Sequence, residues 1–210
     1  WNYKNVFRIS PHGANTSVST FDDYVILSSW LDNHVKIMRP DTGEILESLD
    51  GLNIPVSATK YGDRIAVALQ GDKSITLFNV QNGEGEILAD GFMAPTHVIN
   101  YEGDLLVSDR SKGQIIRVNG EGAQEVIVDG LDSPEGIAIK DNSIYIFEGN
   151  TGQIKKYQEG QITVIAEVMP GSPVQSELQP PSMVFNGLAV KDNYLYISGE
   201  LERSLFRLAL

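Results

Sequence analysis

Five residues open equivalent segments of this chain: Thr16, Val56, Thr96, Glu135 and Asn186. They lie 40, 40, 39 and 51 residues apart. His97 follows Thr96. A second set recurs about a dozen residues further on in each segment: Trp30, Asp32 and His34; Gln70 and Asp72; Asp109 and Arg110; Glu148 and Asn150; Glu200, Glu202 and Arg203. Acids outnumber bases in these sets. If the fold gathers them around one axis, their oxygens suit a hard cation such as calcium or another divalent ion. Glu135 is the sharpest candidate, since a carboxylate facing a crowded axis needs a partner. His97 is the histidine placed nearest that axis and can serve as a lining residue or a general base. The three histidines are not spaced as a zinc pair. No serine sits in a nucleophile elbow, and no glycine loop of the phosphate-binding kind is present.

The segments that must position these residues are β-strands. Each unit of about forty residues reads as four strands, a to d. In the fourth unit, strand a begins at Glu135-Gly136-Ile137-Ala138 and strand b follows as Ser143-Ile144-Tyr145-Ile146. Between them come residues that tolerate the left-handed backbone of two-residue hairpins: Asp22-Asp23, Gly62-Asp63, Glu102-Gly103, Asp141-Asn142 and Asp192-Asn193. Turns at Asp41-Thr42-Gly43, Asn82-Gly83, Asn119-Gly120 and Glu159-Gly160 separate strands c and d. The link from d to the next a repeats as Asp50-Gly51-Leu52, Asp90-Gly91-Phe92 and Asp129-Gly130-Leu131, each ending in proline: Pro55, Pro95 or Pro134. The glycine permits a sharp exit, the apolar residue packs between units, and the proline ends the turn.

A lone four-stranded sheet leaves apolar faces in water, whereas several packed radially bury them. The expected fold is therefore an all-β propeller of five four-stranded blades in a single domain. The blades span about 14–50, 54–90, 94–130, 133–168 and 184–210, and residues 4–10 supply the outer strand of the last. Pairing Asn5–Ser10 with Ser204–Leu208 would close the ring and hide its edge. A chain that continued upstream of Trp1 would instead make this a fragment of a six-bladed propeller. In such a fold the d-to-a and b-to-c connections emerge together, so both residue sets converge at one axial mouth. An insertion over Met169 to Met183 lies on that side and reads as a lid or a plain surface loop.

Composition narrows the function. The formal charge of −12 disfavours phosphate backbones, so nucleic acid is not an expected partner. The absence of cysteine excludes disulfides, thiolate metal sites and a cysteine nucleophile. No apolar run is long enough to span a membrane as a helix. A start at Trp1 rather than methionine favours a periplasmic or secreted placement over a cytoplasmic one.

Two stretches resemble known repeats. Pro134-Glu135-Gly136-Ile137-Ala138 with Ser143-Ile144-Tyr145-Ile146 resembles NHL-type propellers. Phe185-Asn186-Gly187-Leu188-Ala189-Val190 with Leu195-Tyr196-Ile197-Ser198 is similar to the gluconolactonase and senescence-marker-protein-30 superfamily. The second resemblance implies an axial divalent cation held by Glu135 and Asn186, with Asp109 or Glu148 as a further ligand. It also implies a metal-dependent hydrolase of lactones or esters, in which His97 or an axial carboxylate such as Asp109 moves the proton. Thr16, Trp30, Thr96, Glu148 and Glu200 would line the ligand site. The first resemblance implies a non-catalytic module that presents its axial face to a protein or glycan. A monomer is expected in either case.

Overall fold

The computed structural model describes residues 17–168, 187–199 and 204–210. They form five antiparallel sheets and no helix. The first blade holds β1 (Ser17–Phe21), β2 (Tyr24–Ser29), β3 (His34–Met38) and β4 (Ile45–Asp50). The second holds β5 (Pro55–Tyr61), β6 (Arg64–Leu69), β7 (Ser74–Phe78) and β8 (Gly85–Ala89). The third holds β9 (Pro95–Tyr101), β10 (Asp104–Asp109), β11 (Gln114–Val118) and β12 (Gln124–Val128). The fourth holds β13 (Pro134–Lys140), β14 (Ser143–Glu148), β15 (Gln153–Gln158) and β16 (Gln161–Glu167). The fifth shows β17 (Leu188–Lys191), β18 (Tyr194–Gly199) and β19 (Ser204–Ala209). Strands pair in chain order within every sheet, and the inner strands β1, β5, β9, β13 and β17 pack in succession. The architecture is a five-bladed propeller. The expected closing strand Asn5–Ser10 and the insertion over Met169 to Met183 lie outside the described residues.

The second strand of each blade explains the packing. Its side chains alternate between two neighbouring blades. On β6, Ile65, Val67 and Leu69 join Ile26, Val35, Ile37 and Leu49 of the first blade. Ala66 and Ala68 face the other way, toward Val98, Leu105 and Val107 of the third. On β10, Leu106 turns to Ile137, Ile144 and Ile146 of the fourth. On β14, Tyr145 and Phe147 turn to Leu188, Leu195 and Ile197 of the fifth. Both faces are buried, so these strands read as continuous apolar runs. Outer strands such as β8, β12 and β16 are largely exposed.

The hairpins follow local chemistry. Tyr101 pairs with Asp104 and Lys140 with Ser143. The intervening residues are left-handed: Glu102 and Gly103 at φ 54° and 89°, Asp141 and Asn142 at 49° and 56°. One turn differs from expectation. In the third blade the left-handed residue between β11 and β12 is Gly122, at φ 84°, not Gly120. The cause is the Asn119 side chain, whose Oδ1 accepts from the N–H of Glu121 and Ala123 and lengthens the turn. No described helix is long and apolar enough to cross a membrane.

Candidate functional site

The mouth is built from the starts of the inner strands and the ends of the second strands. Proline at the head of β5, β9 and β13 puts the next residue, Val56, Thr96 or Glu135, at the same level. All three are buried. The residue leaving the second strand, Gln70, Arg110 or Gly149, donates its N–H back to the preceding connection. The acceptors are the carbonyls of Ile54 (3.0 Å), Ala94 (2.9 Å) and Ser133 (2.8 Å). These bonds bring the two residue sets together.

Glu135 is 2% exposed, and its Oε1 lies 3.4 Å from Nε of Arg110, contributed by the third blade. Gly149 makes the room. A Cβ at 149 would collide with the Glu135 carboxylate, while the equivalent positions carry Trp30, Gln70 and Arg110. The absence of a side chain at 149 thus serves the ion pair. Gly149→Ala should push the carboxylate off Arg110 and cost about 1–3 kcal/mol, as overpacking does. Thermal denaturation reads this loss, which should shrink in an Arg110→Ala background.

Asp109 and Glu148 end β10 and β14 and are fully buried. Asp109 accepts from the N–H of Met93 (2.8 Å, Oδ2) and Ala94 (2.9 Å, Oδ1). Glu148 Oε1 accepts from the N–H of Asp132 (2.7 Å) and from Nζ of Lys155 (2.6 Å), and its Oε2 accepts from the Thr151 hydroxyl (3.0 Å). Each carboxylate clamps the connection that leads into its own blade.

Thr96 donates its hydroxyl to the carbonyl of Pro134 at 3.2 Å, with the Ser108 carbonyl at 3.4 Å. His97 accepts at Nδ1 from the Ile137 N–H at 2.9 Å. Its ring is neutral, with Nδ1 unprotonated, and burial pushes its pKa down to about 4. Trp30 is half-buried and packs against the core between the second and third blades. His34, buried at the head of β3, is also held below the ordinary range, by burial first and then by Lys36. The rim acids are bonded too: Asp32 to Ser29, and Asp72 to Asn53. Thr16, Asn186 and Glu200 fall outside the described residues. Among the described residues no group of three His, Asp or Glu side chains gathers as a metal set.

The structure therefore brings Thr96, His97, Asp109, Glu135 and Glu148 to one end of the propeller. It adds Arg110 as the partner of Glu135 and Gly149 as the position that admits it. The sequence signal for Gly149 was a glycine where the other units carry a large side chain.

No protein-family model matches the chain, and no curated protein is similar to it in sequence. Solved structures do match. A protein of unknown function from Bacteroides thetaiotaomicron superimposes with a TM-score of 0.75 at 12% identity, over 96% of this chain and 60% of that one. A nidogen/laminin complex gives 0.74 at 14% identity, over 90% of this chain and 72% of that one. Virginiamycin B lyase from Staphylococcus aureus gives 0.63 at 15% identity, over 94% and 70%. This chain thus spans about three fifths of the length of the first. At these identities the likeness is one of fold, and the fold is a β-propeller.

Proposed function

We propose that this propeller is a binding module that docks a protein partner on its mouth face. One observation carries the reading: the protein itself engages the titratable groups at the mouth. A general base needs a free lone pair, and a hard cation needs open oxygens. Asp109 spends both oxygens on backbone N–H groups, Glu148 holds Asp132, Thr151 and Lys155, and His97 spends Nδ1 on Ile137. Glu135 has a guanidinium 3.4 Å away, which competes with any cation for the same carboxylate. The described donors therefore do not fit the calcium site that the lactonase resemblance implies. Two large apolar side chains on the mouth connections, Leu31 and Met93, are each 57% exposed and offer contact area to a partner. The structural likeness to a nidogen/laminin complex, itself an assembly of two proteins, agrees with this reading.

Calorimetry with calcium on metal-stripped protein tests it. The expected result is no saturable heat in the wild type and no turnover of a lactone and ester panel. Saturable binding that Glu135→Gln abolishes would overturn the proposal and restore the metal-dependent hydrolase.

A further inference from the structure

The seam between the third and fourth blades is joined at the mouth by three side-chain contacts. Thr96 donates to the Pro134 carbonyl, Arg110 pairs with Glu135, and His97 accepts from the Ile137 N–H. The preceding seam uses the same device one blade earlier. There Ser57, which occupies the position of His97 on β5, accepts from the N–H of Val98 at 3.2 Å. Val98 occupies the position of Ile137. Two neighbouring seams thus share one backbone-to-side-chain bond, made by a hydroxyl in one and by an imidazole in the other.

We propose that His97 is a proton-sensitive latch across the seam between the third and fourth blades. The chemistry follows from the bond. While Nδ1 keeps its lone pair, the Ile137 N–H has an acceptor. A proton on Nδ1 turns the acceptor into a donor, two N–H groups then face each other, and the bond is lost. The ring must turn away or the seam must part. Ser57 has no such transition, so its seam stays joined. The latch joins the same seam as the Arg110–Glu135 pair, and its release would disturb whatever the mouth holds.

No neighbouring charge opposes this assignment. Besides His97, β9 carries one titratable residue, Tyr101, and no acid, lysine or arginine. The strands packed against it bring Lys60 and Tyr61 from β5, Arg64 from β6, Asp104 and Asp109 from β10, and Glu135 and Lys140 from β13. Arg64 is tied to Glu86. Asp104 is tied to Arg117, Asp109 to backbone N–H groups, Glu135 to Arg110, and Lys140 to the Asp192 carbonyl. Lys60 lies over the Phe21 ring. Burial is what keeps the imidazole neutral.

The sign is fixed by linkage. The folded pKa of about 4 lies below the ordinary histidine value of 6.5. The neutral form therefore favours the closed seam, fully so above the higher value, and this contribution is lost as pH falls from 6.5 toward 4. Amide hydrogen exchange on the intact chain tests the latch, with Val98 as the internal reference. The protection of Ile137 relative to Val98 should fall roughly thirtyfold between pH 7.5 and pH 5. In His97→Ser, which rebuilds the bond of the neighbouring seam without a titrating group, the ratio should not change with pH. A constant ratio in the wild type, or the same fall in the serine variant, overturns the proposal. If the variant does not fold, nitrogen NMR on the wild type decides: an imidazole protonated at Nδ1 at neutral pH also overturns it.

Discussion

Glu148→Ala should destabilise the protein by about 3–5 kcal/mol, the cost of breaking a buried ion pair by removing one partner. The carboxylate is fully buried at the end of β14, and Lys155, only 17% exposed, lies 2.6 Å from it. Alanine would strand that ammonium. It would also leave the Asp132 N–H and the Thr151 hydroxyl without their acceptor. The loss is structural as well as electrostatic, because Asp132 belongs to the connection that feeds β13 and so sets the level of Glu135. Glu148→Gln keeps an oxygen for the Asp132 N–H and should cost less. Denaturant unfolding reads both variants as a shift in midpoint at constant slope. A midpoint for the alanine variant within about 1 kcal/mol of wild type would show that the carboxylate does not clamp the connection.

Phe92→Ala should cost a similar amount, about 3–5 kcal/mol, for a different reason. Phe92 is 1% exposed and lies in the link between the second and third blades, yet its ring belongs to the core those blades share. Around it are Ala66, Ala68, Ile75 and Leu77 on one side and Val98, Leu105, Val107 and Ile116 on the other. Removing the ring leaves a cavity between two rigid sheets that cannot collapse to fill it. The Lys112 ammonium, 6.0 Å from the ring centre and bonded to the Gly91 carbonyl, would lose its apolar partner as well. Thermal denaturation should show a large drop in midpoint for alanine and a smaller one for Phe92→Leu. An alanine variant that melts like the wild type would mean that the connection, not the ring, carries the packing.

Both variants bear on how much of this protein was legible before its fold was known. The exit motif around Phe92 was readable because each part acts locally. Gly91 adopts φ 77°, the aromatic ring follows it inward, and Pro95 starts the next strand. The hairpins were readable for the same reason: Asp141 and Asn142 take the left-handed backbone that a two-residue loop requires. The exception, Gly122 in place of Gly120, arose where the Asn119 side chain outcompeted a simple glycine turn. Among the described residues, His97, Asp109, Glu135 and Glu148 lie at the ends of strands on one side of the blades, because the repeat assigns each residue a level.

By itself, then, the sequence determined the strands, their hairpin order and the repeat, since turn chemistry and alternation act over a few residues. Only the tertiary structure decided what the mouth residues do. Asp109 and Glu148 meet N–H groups 15 to 16 residues away, and His97 meets one 40 residues away. The meaning of Gly149 depends on the carboxylate of Glu135 from the strand before it and on Arg110 from the neighbouring blade. Whether a buried carboxylate is a ligand, a base or a clamp is settled by which donors come within about 3 Å of its oxygens. That distance is set by how the blades pack, not by spacing along the chain.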